Sequence, residues 1–172
     1  MSWHTCGILI KADYSDDYPA LLEKLGLGAA TPGEMVSFDE ASSSSCEGVA
    51  IGTLGGWTSI WGNFVLLMID DDAVTTISKN ADVFQLLLEG ASCTAGFTFH
   101  SGGKLVRDWM RQEDNVVKDV GKPLPLEETA FKEADDEQAV LQLASAMTIQ
   151  VQNWHFTKFQ TFNLSDDVLF GE

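Results

Sequence analysis

Residues 94–120 read TAGFTFHSGGKLVRDWMRQEDNVVKDV, and this stretch decides the fold class. From Thr94 to His100 the chain alternates, with Phe97 and Phe99 on one face and Thr98 and His100 on the other, which is the two-residue period of a strand. Ser101-Gly102-Gly103 supplies a turn. Lys104 to Arg111 then reads as a second strand, with Leu105 and Trp109 on the same side as Arg107 and Arg111. Glu113-Asp114-Asn115 is a polar turn and Val116 to Val120 a third strand. Three strands joined by tight turns form an antiparallel meander, so a purely helical or strictly alternating strand-helix architecture is excluded.

Working outward toward the N-terminus, Gly55-Gly56 sits between Val49–Leu54 and Trp57–Trp61, a second hairpin. Cys6 to Ala12 is apolar nearly throughout and reads as a central strand. Asp16 or Asp17 can cap a helix with Pro19 in its first turn, a stripe of Leu21, Leu22 and Leu25, and Gly26 at its end. Gly28 to Gly33 reads as a loop, Met35 to Phe38 as a short strand, Ser42 to Ser45 as a surface loop and Phe64 to Ile69 as a fully covered strand. Ser78 or Asn80 is placed to cap a second helix, with Val83, Leu86 and Leu87 as its inner stripe and Gly90 as its stop.

Toward the C-terminus, a third helix is expected from Ala134 to Met147, with Val140, Leu143, Ala144 and Met147 facing the core. Alternation at Ile149/Val151 and Trp154/Phe156 predicts one or two closing strands. The sum is one α+β domain over 1–172: a mainly antiparallel twisted sheet of roughly five to eight strands, with about three helices packed mostly on one face.

The charge balance bounds the partners. Asp and Glu number 26 against 10 Lys and Arg, a formal net charge of -16 in 172 residues. Such a surface repels nucleic-acid phosphates and anionic membranes and attracts basic proteins. The 45% hydrophobic content excludes a disordered acidic tail. No apolar run is long enough for a signal peptide core or a membrane span, so a cytoplasmic protein is expected. Cys6, Cys46 and Cys93 are odd in number and widely spaced, which predicts free thiols, Cys6 and Cys93 being the better candidates for burial.

No motif implies a cofactor. Gly48, Gly52, Gly55 and Gly56 do not match a phosphate-binding loop, and no Lys or Arg occurs between Lys24 and Lys79. The spacings of His4, His100 and His155 to the cysteines are not those of structural zinc. Cys93 and His100 are seven residues apart on opposite faces of one strand, which reads as two unrelated residues rather than a nucleophile-base pair. Asp70, Asp71 and Asp72 end an apolar run, where enzymes of α/β type hold divalent cations, but the plain reading is a turn and helix cap. Arg107 and Arg111 beside Trp109 read as partners of cross-strand acids. The aromatic tail reads as core or, if exposed, as a homodimer surface.

These features predict a non-enzymatic acidic binding protein that recognises a basic protein surface, such as an immunity protein or antitoxin that blocks a toxin by imitating phosphate. The clustered carboxylates Asp13, Asp16, Asp17, Glu133, Asp135, Asp136 and Glu137 are the expected partner-binding residues. The competing expectation is a small metal-dependent hydrolase or transferase using Asp70–Asp72 and His100.

Overall fold

Strand β1 (His4–Ile10) sits near the middle of the molecule, because it is apolar on both sides and needs cover on both. The computed structural model describes residues 3–62 and 69–165. Among these residues, the remaining strands are β2 (Ala30–Val36), β3 (Val49–Leu54), β4 (Trp57–Gly62), β5 (Val83–Glu89), β6 (Thr94–Ser101), β7 (Lys104–Gln112), β8 (Asn115–Gly121) and β9 (Phe159–Leu164). They form one antiparallel sheet in the order β2-β9-β3-β4-β1-β5-β6-β7-β8. The meander of residues 94–120 is the wing of the sheet that ends at β8, and the Gly55-Gly56 hairpin joins β3 to β4.

Among the described residues five α-helices accompany the sheet: α1 (Tyr18–Lys24), α2 (Phe38–Ala41), α3 (Asp71–Ile77), α4 (Glu127–Glu133) and α5 (Asp136–Met147). Asp17 caps α1 by accepting from the backbone N–H of Ala20, and Gly26 follows with φ +79°, a conformation that suits a residue without Cβ. Asp70 caps α3 in the same way.

Two cores result. On the first face Leu9, Trp61, Phe84, Leu86, Phe97 and Trp109 pack beneath Phe38 of α2, Ala130 of α4, Val140 and Leu143 of α5, and Trp154. On the second face Ile8, Ile10, Ile51, Ile60 and Phe162 pack beneath Leu21, Leu22 and Leu25 of the α1 segment and Val74 and Ile77 of α3. Gly7 lies under the Trp61 ring, where a Cβ would approach to 2.8 Å. Three helices therefore do share one face, but two more cover the other. The expected one-sided packing is corrected by α1 and α3, whose apolar stripes need the second face of the same central strands.

Other departures have local causes. Val83–Glu89 is a strand between β1 and β6, not a helix. The run is apolar at nearly every position, so it satisfies a helical stripe and a doubly covered strand alike, and sheet pairing decides. The helix expected from Ala134 begins at Asp136, because Asp135 caps it and Ala134 is extended; Glu127–Glu133 forms a separate helix. Gly28–Gly33 is not all loop: Ala30 begins edge strand β2, which tolerates Pro32 because an edge has a free side, and β2 ends at Val36 before α2 begins at Phe38. Of the serine run, Ser42 is buried and bonds back to the Phe38 carbonyl. Val151–Phe156 is a 3-10 helix, so only Phe159–Leu164 closes the sheet. The described sheet has nine strands where five to eight were expected: β5 is a strand read as a helix, and β2 extends the short strand expected at Met35 back to Ala30. Most of the strand expected at Phe64–Ile69 lies outside the described residues. No helix among the described residues is long and apolar enough to cross a membrane.

Candidate functional site

At one end of the sheet β1 starts, β5 ends, β6 starts and β7 ends, as the pairings His4 with Glu89, Glu89 with Thr94 and Thr94 with Gln112 show. The turns at this end are tight. A 3-10 turn at Gly90–Ser92 leads into Cys93, whose φ of 47° reverses the chain, and the Cys93 carbonyl accepts from the Glu113 backbone N–H at 2.9 Å. Glu113, also in the left-handed region with φ 53°, opens the two-residue turn to β8. Above them on the first face lies the N-terminus of α5.

This convergence makes a cleft of about 220 Å³ lined by Gly90, Thr94, Glu113, Asp135, Asp136 and Glu137, among others. Each α5 carboxylate is held by a different contact. Asp135 caps the helix, accepting from the Gln138 backbone N–H at 2.9 Å. Asp136 accepts from Arg111 Nη1 at 2.9 Å, and the Arg111 guanidinium lies 5.5 Å from the Trp109 ring centre. Glu137 accepts from the Trp3 backbone N–H at 3.4 Å. The helix dipole stabilises this local excess of negative charge, and Arg111 pairs with Asp136 alone of the four carboxylates. Such a cavity can take up an ammonium or guanidinium group without chemical change to it.

Of the carboxylates expected to bind a partner, Asp135, Asp136 and Glu137 come together here. Glu133 is exposed at the end of α4 and is not among the lining residues. Asp13, Asp16 and Asp17 lie at the opposite end of β1, beside α1 on the second face. There the hydroxyl and backbone N–H of Ser15 hold the Asp13 carboxyl below the usual range. Glu113 was legible only as part of a polar turn; nothing in the local sequence signals that it meets α5.

The three aspartates are split by the chain's turn into α3. Asp70 and Asp72 border a depression with Tyr14, Lys24 and Asn80. Asp71 borders a different cleft on the second face of the wing, with Gln85, Thr98, Asp108 and Lys118. His100 is buried near Asp71 and Asp108, and burial pushes its pKa down against their opposing pull. Its Nδ1 lacks a hydrogen-bond partner. Among the described residues no group of three or more His, Cys, Asp or Glu is arranged to hold a metal ion.

The remaining candidates are structural. Arg107 is almost fully buried and bonds Glu127 at 2.5 Å and Asp119 at 2.6 Å. The bonds to Glu127 raise its pKa further, against the opposing effect of burial. Among the described residues Cys6, Cys46 and Cys93 form no disulfide; Cys6 is buried as expected, whereas Cys93 is exposed because it lies in the turn before β6. Trp154, Phe159 and Phe162 are core, and Phe156 is 83% exposed. Comparison with family models, with curated proteins and with solved structures finds no match.

Proposed function

We propose that this chain is a non-enzymatic acidic binding protein that recognises a basic protein surface. Its sharpest form is an immunity protein or antitoxin that occupies the phosphate-gripping Lys and Arg residues of a toxin. The observation that carries the reading is the cleft in which Glu113, Asp135, Asp136 and Glu137 line one volume, with Arg111 paired to Asp136. Its walls are a helix N-terminus and two tight turns, so the carboxylates are positioned before a partner arrives and little ordering is required on binding. The net charge of -16 would speed the encounter with a cationic surface. A cytoplasmic setting, where thiols stay reduced, belongs to the same proposal.

The test is titration with a lysine decapeptide and with a glutamate decapeptide, at low and high salt, by isothermal calorimetry. The lysine peptide is expected to bind and to weaken with salt; the glutamate peptide is not. The triple variant Glu113→Gln, Asp135→Asn, Glu137→Gln keeps the helix cap and should lose about tenfold in affinity, equivalent to about 1.4 kcal/mol. Asp13→Asn, Asp16→Asn, Asp17→Asn removes equal charge at the other end and should lose less. Equal losses from the two triples, or binding indifferent to salt, would remove the basis for the reading.

A further inference from the structure

Strand β8 ends the sheet, and among the described residues it pairs with β7 alone. All seven of its residues are exposed, with Val116, Val117 and Val120 at 48%, 50% and 52%. Edge strands are normally protected by outward charges or by proline. Here the charged side chains are engaged on β7: Lys118 reaches Asp108 at 3.6 Å and Asp119 reaches Arg107 at 2.6 Å. A bulge at Val117 interrupts the ladder, but the strand carries no proline. The other edge, β2, contains Pro32, and its Gly33 and Glu34 carbonyls accept from the Gln160 and Thr161 side chains.

We infer that β8 accepts an extended segment of the basic partner as a tenth, antiparallel strand. The inference rests on the proposed acidic-binding function and specifies how that partner docks. Every pairing in this sheet is antiparallel, so an added strand is expected to follow suit. Its C-terminal end would then lie beside Asn115 and the exposed Glu113-Asp114 turn, which borders the carboxylate cleft. The complementary segment is therefore a β-branched stretch followed by Lys or Arg: backbone hydrogen bonds and the valines hold the strand, and the carboxylates hold its basic end. A second copy is a poor occupant, since two chains of charge -16 repel.

The probe is a synthetic peptide of alternating Val and Thr ending in three lysines, with a twin in which alternate backbone amides are N-methylated. The twin keeps every charge and loses strand pairing. The unmodified peptide should bind on the order of tenfold tighter and should slow hydrogen exchange at the amides of 115–121. Val117→Pro, at the unpaired bulge position, should reduce this preference. Equal binding of both peptides without protection of β8 would overturn strand addition while leaving the acidic-binding reading intact. Absence of salt-dependent binding by either peptide would overturn both. Concentration-dependent protection of β8 in the free protein, with dimer formation, would assign the edge to a second copy and overturn the inference.

Discussion

Strand β1 and strand β7 solve the same packing problem with different materials. β1 buries Cys6, Ile8 and Ile10 against the second-face helices and Leu9 against the first, so apolar area on both sides holds it. β7 packs under helices on the first face, and among the described residues none of β6, β7 or β8 joins the second core. Its inward side carries Trp109 among aromatic rings, but next to it lies Arg107, nearly fully buried between Glu127 and Asp119. The centre of the sheet is thus held by solvent exclusion, and the wing in part by a desolvated charge cluster. Removing one member of such a cluster costs more than the cluster contributes as a whole, because the partner is left buried and unpaired.

The comparison can be broken most directly at Trp61, which covers Gly7 and packs on Phe38 at 5.1 Å between ring centres. Trp61→Ala should cost about 3–5 kcal/mol in denaturant unfolding, at any salt concentration. Arg107→Met should cost about 3 kcal/mol by stranding Glu127. Adding Glu127→Gln, which keeps an acceptor for the Leu124 N–H, should restore much of the loss. If the double variant is no better than the single, the cluster is not the wing's fastening and the contrast fails. Native-state hydrogen exchange should show β7 and β8 opening at lower free energy than β1 and β5.

Smaller effects sharpen the same contrast. Asp17→Ala and Asp135→Ala each remove a helix cap, one beside the second core and one in the wing, and each should cost about 1 kcal/mol in thermal unfolding. Asp119→Asn removes a carboxylate that is 65% exposed and should cost less than about 1 kcal/mol, with the difference shrinking in high salt. Acid should act on the wing through His100. Burial depresses its pKa in the fold, so the unfolded chain binds the proton more readily. Stability is present above the unfolded value near 6.5 and falls as pH drops through it. His100→Leu should flatten that part of the pH profile, because the imidazole Nδ1 has no partner to lose.

Legibility in the sequence followed the reach of each signal. Phe97, Thr98, Phe99 and His100 alternate within a single strand, and Ser101-Gly102-Gly103 closes the turn, so the meander could be read without tertiary information. The caps at Asp17 and Asp70 were readable for the same reason: a cap is satisfied within three residues. Val83–Glu89 was not readable, since a run apolar at nearly every position fits a helical stripe and a doubly covered strand alike, and only pairing with β1 and β6 settles it. Of the second-face helices, α1 was visible as a helix and α3 only by its cap, and which face they cover depends on chain reversals that leave no local mark.

The candidate site divides along the same line. Asp135, Asp136 and Glu137 are neighbours in sequence, and their acidity at a helix start was evident from composition and position alone. That Glu113 joins them across the cleft, while Asp13, Asp16 and Asp17 lie at the far end of the sheet, was decided only by tertiary packing. Charge and hydrophobic period are properties of adjacent residues and survive in the linear chain. Convergence of residues that are distant in sequence is produced by burial of the cores between them, and it exists only once those cores form.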